Sequence, residues 1–156
     1  MRTMATIART AVAATLMAAA FTLGISGAAH ADRSHCEGGA NGFVDISENQ
    51  SGATQRSVEL RPGAAGNRGW INLAVANIQG QQRGFVAIVG HETGDEFWMD
   101  WTEDGGDNWI QCGPFVAWDT NQHTTAAKST SSSASWLFRA CGSRHDSDAV
   151  VCTSWW

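Results

Sequence analysis

Residues 96–101 read Glu-Phe-Trp-Met-Asp-Trp. Successive side chains of a β-strand point to opposite faces of the sheet, so this stretch places Phe97, Met99 and Trp101 together on one face. That face is wholly apolar, whereas the opposite face mixes charged residues with one tryptophan. The pattern therefore predicts a β-strand that packs one face against a core.

The same two-residue period recurs on both sides of this strand, and no segment shows a sustained helical period. Gly, Asn and Asp separate the alternating segments, as expected for turns between short strands. The further predicted strands are residues 42–47, 54–61, 69–78, 83–89, 109–117, 135–141 and 149–156. We therefore expect an all-β fold, a small antiparallel β-sandwich or barrel of about eight strands.

The N-terminal residues 1–31 have the three parts of a secretory signal peptide. Arg2 and Arg9 supply the positive start, an Ala-rich apolar run follows, and Ala29-His30-Ala31 forms a small-x-small cleavage site. The apolar run is shorter than the roughly 20 residues of a stable membrane span. We predict cleavage after Ala31, leaving residues 32–156 as a single secreted, extracellular β-domain.

All four cysteines lie in the predicted exported part. An even number of cysteines in an exported chain indicates two disulfides. Four cysteines allow three connectivities, and the sequence alone does not choose among them. We favour Cys141–Cys152, which joins neighbouring segments, together with Cys36–Cys112, which ties the N-terminus to the middle of the domain.

The charge of the chain argues against some partners. The chain has 10 basic and 15 acidic residues, and the predicted signal peptide contains two of the basic ones and none of the acidic ones. The net charge is therefore −5 for the chain and −7 for residues 32–156. We accordingly expect no nucleic-acid partner, and no membrane association of the mature form.

One local motif stands next to the opening strand. The stretch from Thr102 to Trp109, Thr-Glu-Asp-Gly-Gly-Asp-Asn-Trp, resembles the Asp-box hairpin of sialidase propellers and some secreted nucleases. The resemblance implies a hairpin rather than an activity. More widely, residues 97–115, 137–142 and 152–156 resemble a group of small secreted actinobacterial proteins. That resemblance implies secretion and a compact domain, and it assigns no site residues.

The unusual feature of the composition is its tryptophan content. The chain has eight tryptophans, and all of them lie in the predicted mature domain. Two interpretations are open: the indoles fill the core, or some form an exposed binding surface. Our leading hypothesis is a non-enzymatic domain that binds a glycan or a protein surface through exposed Trp. The candidate ligand-binding residues are Trp98, Trp155, Trp156 and Asp100.

Two alternative functions rest on other segments. The polar 121–135 loop contains Lys128, the one lysine, and predicts an extracellular protease inhibitor if the loop protrudes. The acidic 92–107 stretch predicts a small glycan hydrolase with a carboxylate pair, such as Glu96 with Asp100 or Glu103.

The remaining polar residues give weaker signals. The acidic stretch 92–107 also allows a calcium site, although its spacing does not fit an EF-hand, so we expect no required cofactor. The histidines of residues 32–156 match no zinc-protease or catalytic-triad motif. We therefore expect these histidines at the surface.

Overall fold

A computed structural model describes residues 29–63 and 66–156, with the backbone alone for residues 29 and 30. Most of the predicted signal peptide therefore lies outside the described residues. The elements in this part of the chain are β1 (Ala29–Ala31), α1 (Arg33–Glu37), a 3-10 turn (Ala40–Gly42), β2 (Phe43–Val44), β3 (Ala53–Leu60), β4 (Gly69–Ile78), β5 (Gln81–Val89), β6 (Glu96–Thr102), β7 (Ile110–Val116), β8 (His123–Thr124), β9 (Ala127–Ser129), β10 (Leu137–Ser143) and β11 (Val150–Cys152).

The strands form two sheets. The first sheet has the order β1-β7-β6-β10-β11, and the second has the order β2-β9-β5-β4-β3, with β8 also paired to β5. All pairs are antiparallel except β1 with β7. The predicted all-β class is confirmed as a two-sheet arrangement with the layout of a sandwich, and the described strands do not close into a barrel.

The longest hairpin joins β4 to β5 through only two residues. Gln79 and Gly80 both have positive φ, at 54° and 77°, as a type I′ turn requires. Along β4, Ile71 and Leu73 are fully buried, whereas Trp70 on the alternate face is exposed. The two-residue turn fixes the register of the pair, and the alternation directs one face of the second sheet into the core.

The main core lies between the two sheets. Its buried side chains come from both layers, so neither sheet buries its apolar face alone. The first sheet contributes Phe97, Met99, Trp101, Phe115 and Phe138, and the second contributes Ile71, Leu73, Val86 and Ile88. A smaller cluster around Phe85 and Ala127 covers the outer face of the second sheet, with Val44 and Ile46 packed against it.

Both predicted disulfides are present, Cys36–Cys112 and Cys141–Cys152. The first joins α1 to β7, and the second joins β10 to its neighbour β11. The predicted cleavage site after Ala31 lies at the end of a strand, because Ala29–Ala31 forms β1 and pairs with β7. Cleavage after Ala31 would therefore separate β1 from the domain.

The expectation of one long polar loop at residues 121–135 is wrong in part. This segment contains β8 and β9, which pair with β5, and β9 also pairs with β2. Residues 123–128 are all buried. Short strands of this kind show little local periodicity, because the strands they pair with lie 35 or more residues away in sequence.

The hairpin between β6 and β7 is held by polar side chains. Asp104 accepts hydrogen bonds from the backbone N–H of Asn108 at 2.9 Å and from its side-chain amide at 2.7 Å. Gly105 and Gly106 have φ of 81° and 106°, a backbone conformation that residues other than glycine rarely adopt. Trp155 covers Gly106 so closely that an added Cβ would lie 3.2 Å from the indole nitrogen.

Replacing Asp104 by alanine is expected to lower the melting temperature, and the loss should depend on pH. Hydrogen bonds lower the pKa of Asp104 below its ordinary value of 3.8. The backbone N–H of Asn108 has the largest effect, and the Asn108 side chain and the Thr102 hydroxyl add to it. Asp104 therefore stabilises the folded state above the pKa it has when unfolded, and this contribution disappears as pH falls through the folded-state pKa.

Thermal melts from neutral pH down to about pH 2 test this expectation. The difference in melting temperature between wild type and Asp104→Ala should narrow as pH falls below the ordinary Asp pKa. Asp107→Ala provides the matched control, because Asp107 is exposed in the same hairpin and makes none of these hydrogen bonds. A difference between wild type and Asp104→Ala that stays constant with pH contradicts the assignment.

Candidate functional site

The two most exposed tryptophans of the described residues are Trp118, with 59% of its surface accessible, and Trp70, with 40%. Trp118 follows the end of β7 by two residues and lies in the connection to β8. Neither tryptophan is among the predicted ligand-binding residues. An indole this exposed on a protein surface leaves a large apolar area in contact with water.

The exposed indole of Trp118 is held in place from two sides. Its Nε1–H donates to Glu48 Oε2 at 3.2 Å. Its ring meets the ring of His123 edge to face, with centroids 4.9 Å apart and an interplanar angle of 63°. Aromatic pairs of this geometry are favourable, so Trp118 is exposed but fixed.

His123 connects the two segments that surround Trp118. Its Nδ1 lies 3.1 Å from Glu48 Oε2, and its Nε2 lies 3.0 Å from Asp119 Oδ1. Arg33 pairs with the other oxygen of Glu48 at 3.2 Å. Because His123 is only 3% exposed, this bridge lies beneath the surface and ties the 45–50 segment to the 117–122 loop.

His91 supports the bridge from below. Its Nε2 lies 2.7 Å from the carbonyl oxygen of Asp119, and its ring centroid is 5.4 Å from that of His123. Burial lowers the pKa of His91. The neutral ring therefore donates from Nε2 to this carbonyl, and Nδ1 is buried with no hydrogen-bond partner among the described residues. The expectation of surface histidines is wrong for His91 and His123, because each is only 3% exposed.

Asp119 is the second carboxylate of the site. Burial by itself would raise its pKa, but hydrogen bonds from Asn121 and the contact with His123 outweigh burial and lower the pKa. Asn121 donates its backbone N–H to Oδ1 and its side-chain amide to Oδ2, both at 2.7 Å. Asp119 is therefore ionised at neutral pH and fixes the loop next to Trp118.

Trp118 borders an open cleft of about 500 Å³, referred to below as the polar cleft. Apart from Trp118, every lining residue carries a polar side chain. These residues are Ser47, Glu48, Asn49, Asp119, Asn121, Gln122 and His123. An exposed ring beside convergent amide, hydroxyl and carboxylate groups suits a ligand with one apolar face and many hydroxyl groups.

The four predicted ligand-binding residues do not form one site. Trp98 is half-buried on β6, on the face opposite Phe97 and Met99, as the alternation indicates. Asp100 shares that face, but it is 1% exposed and pairs with Arg139 at 2.5 Å. Its carboxylate therefore positions Arg139 and is not presented to solvent.

The two C-terminal tryptophans have different surroundings. Trp155 is half-buried and meets Trp109 edge to face, and the Arg139 guanidinium lies near both rings, with Cζ 4.5 Å from the Trp155 centroid and 5.3 Å from the Trp109 centroid. Trp156 stacks on Phe138 at 6.3 Å and packs against the main core. Trp156 thus serves the core, whereas Trp155 and Trp109 belong to a half-exposed group around Arg139.

The predicted inhibitor loop is not a protruding loop at Lys128. Lys128 lies in β9 and is 8% exposed. Its ammonium faces the rings of Trp101, Trp136 and Phe43 at 4.1, 5.0 and 5.9 Å. A protease could not bind this side chain in its specificity pocket as long as β9 remains paired in the sheet.

The acidic stretch is divided between several environments. Asp95 is fully buried in an ion pair with Arg144, Asp100 is paired with Arg139, and Glu103 is exposed at the hairpin. In the part of the chain that the structure describes, no group of three or more His, Cys, Asp or Glu residues is arranged to hold a metal ion. The calcium site that the acidic stretch allows therefore has no support among these residues.

Sequence reasoning missed Trp118, Glu48 and Asp119. A tryptophan just past the end of a predicted strand, followed by Asp-Thr-Asn-Gln, was the signal available at residues 118–122. Strand alternation assigns faces only within a strand, so it could not indicate that Trp118 is exposed. Glu48 is 70 residues from Trp118 in sequence, and only the fold brings the two together.

Comparison of the chain with protein-family models, with curated proteins and with solved structures gives no match. Within residues 29–63 and 66–156, no helix has the length and apolar character needed to cross a bilayer.

Proposed function

We propose that the chain is exported and that its β-domain is a non-enzymatic module that binds a glycan in the polar cleft. One observation carries this proposal: Trp118 is 59% exposed, yet it is fixed beside a cleft whose other lining side chains are all polar. Sugar rings present an apolar face and a rim of hydroxyl groups, and this cleft offers a counterpart for each.

The fixed orientation of Trp118 favours binding. Ordering a side chain on association costs about 0.5–1.5 kcal/mol, and a residue that is already held avoids that penalty. The hydrogen bond to Glu48 and the contact with His123 hold the indole in the free protein. The proposed platform is thus preorganised, as effective binding sites usually are.

The polar lining determines which glycans fit. Asn49, Asn121 and Gln122 carry amides that can both donate and accept hydrogen bonds, as sugar hydroxyl groups do. Glu48 and Asp119 add two carboxylates, and residues 32–156 have a net charge of −7. We therefore expect neutral polysaccharides to bind more tightly than acidic ones, because like charges repel.

Replacing Trp118 by alanine is expected to weaken glycan binding at least tenfold, about 1.4 kcal/mol, because the stacking surface is lost. The experiment titrates the wild-type domain with neutral and acidic cell-wall and plant polysaccharides, following Trp fluorescence and calorimetric heat. Trp70→Ala is the matched control, because Trp70 is also exposed but lies on β4, outside the polar cleft.

Two results would contradict the proposal. The first is no binding by wild type across the panel. The second is binding that Trp118→Ala retains at wild-type strength, whatever Trp70→Ala does. Neither alternative function has a supporting observation, since Lys128 is buried in β9 and the acidic residues 95, 100 and 103 lie in separate environments.

A further inference from the structure

A second cleft, of about 630 Å³, opens where the core ends beneath the β6–β7 hairpin. We call it the lysine cleft. It differs from the polar cleft in having apolar walls, Trp101, Trp109 and Ile110, and a cationic group, Lys128. Asn41, Glu103 and the hairpin residues border the same space. The proposed glycan function makes no use of this cleft.

The ammonium of Lys128 is the central feature of the lysine cleft. It lies over the ring of Trp101 at 4.1 Å and near that of Trp136 at 5.0 Å, and it donates a hydrogen bond to the carbonyl oxygen of Asn41. Aromatic faces attract cations, so the rings hold the ammonium in place. An ammonium has three donors, and the Asn41 carbonyl accepts only one of them.

No carboxylate pairs with Lys128 among residues 29–63 and 66–156. Burial lowers the pKa of Lys128, the more distant charge of Glu103 raises it, and the charge of Arg83 lowers it further. A buried charge is normally paired, because removing it from water is unfavourable. Asp95, Arg144 and Asp100 follow this rule. Arg83, buried to the same 8% as Lys128, has no carboxylate partner among the described residues either, but its guanidinium donates to the Ile78 carbonyl and to the Gln81 side chain.

A second donor in the same cleft also lacks a partner. Trp101 lines the lysine cleft and is 5% exposed, and its Nε1–H is buried and donates no hydrogen bond to any described protein atom. Buried N–H groups of tryptophan usually find an acceptor. The Trp101 N–H is buried from solvent, so the donors available to an anion in the cleft are those of the incompletely paired Lys128 ammonium.

We propose that the lysine cleft binds a small monocarboxylate, with the carboxylate on Lys128 and a flat apolar group against Trp109 and Ile110. Glu103 at the rim opposes a second negative charge, so dicarboxylates and phosphates should bind less well. The volume lies within the range of small-molecule sites. The assignment is independent of glycan binding, since it uses none of the residues of the polar cleft.

Phenylacetate and phenylacetamide form the matched pair of probes, because they share an aromatic ring and differ in charge. Ligand-observed NMR and calorimetry on the wild-type domain should give at least tenfold tighter binding of phenylacetate. In Lys128→Met, which keeps the apolar stem without the charge, this preference should vanish. Glu103→Gln should bind phenylacetate at least as tightly as wild type, because a repelling charge is removed.

The pH profile of the wild-type domain keeps the test decisive even if Lys128→Met does not fold. Affinity for phenylacetate should fall as pH rises from 7 to about 10, because Lys128 loses its proton below the ordinary lysine range, whereas affinity for phenylacetamide should not change. Equal binding of the two probes, binding of neither, or a phenylacetate affinity independent of pH would each overturn the assignment.

Discussion

Removing the disulfide between Cys36 and Cys112 is expected to lower the free energy of unfolding by about 4–5 kcal/mol. The two cysteines are 76 residues apart, so the bond closes a long loop of the unfolded chain and restricts that state strongly. Cys141–Cys152 spans only 11 residues. The same chain-entropy relation gives about 3 kcal/mol for that shorter loop.

Urea denaturation of two double variants tests this order. Cys36→Ala with Cys112→Ala should lose more stability than Cys141→Ala with Cys152→Ala, and each variant serves as the control for the other. Both Cys36 and Cys112 are fully buried, so lost packing adds to the larger effect. If the short-loop variant were the less stable, constraint of the unfolded chain would not be the main contribution of these bonds.

The strands with clear alternation were predictable from sequence. The predicted bounds 69–78 for β4 are those observed, and the residues predicted to face together on β6 all lie in the core. Local pattern suffices here because each strand has one face in the core, and side-chain alternation reports that face directly. The preferred disulfide pairing is also confirmed.

The segment between β7 and β10 was not predictable in the same way. Its Ser and Thr residues resemble a solvated loop, but Thr124 and Thr125 are buried, and Thr125 accepts a hydrogen bond from the backbone of Val86. The partners of this segment in β5 are 35 or more residues away in sequence. Long-range pairing therefore overrides local composition, and burial of Lys128 follows from it.

The same segment supplies residues to both candidate sites. Trp118 and His123 belong to the polar cleft, and Lys128 belongs to the lysine cleft. Pairing of β8 and β9 with β5 fixes the segment at two points, so both sites are supported by the second sheet. A functional side chain held by a sheet keeps its position better than one on a free loop.

Replacing Arg144 by methionine is expected to lower the free energy of unfolding by about 3–5 kcal/mol. Arg144 pairs with Asp95 at 2.7 Å, and the two side chains are 2% and 0% exposed. Its other nitrogens donate to the carbonyl oxygens of Arg61 and Asn67, at 2.8 and 2.7 Å. The variant would leave the Asp95 carboxylate buried without its arginine partner and would remove the side-chain donor to both carbonyls, of which that of Asn67 keeps the Gly63 backbone N–H.

Arg68→Met provides the control that separates burial from charge. Arg68 pairs with Glu59, but 68% of its side chain is exposed, and exposed pairs contribute only about 0–1 kcal/mol. Urea denaturation of both variants at neutral pH should therefore give a large loss for Arg144→Met and almost none for Arg68→Met. Methionine retains an apolar stem in both cases, so lost side-chain packing is matched. Equal losses would mean that the buried pair contributes no more than a surface pair, and that the three loops it joins are held by other contacts.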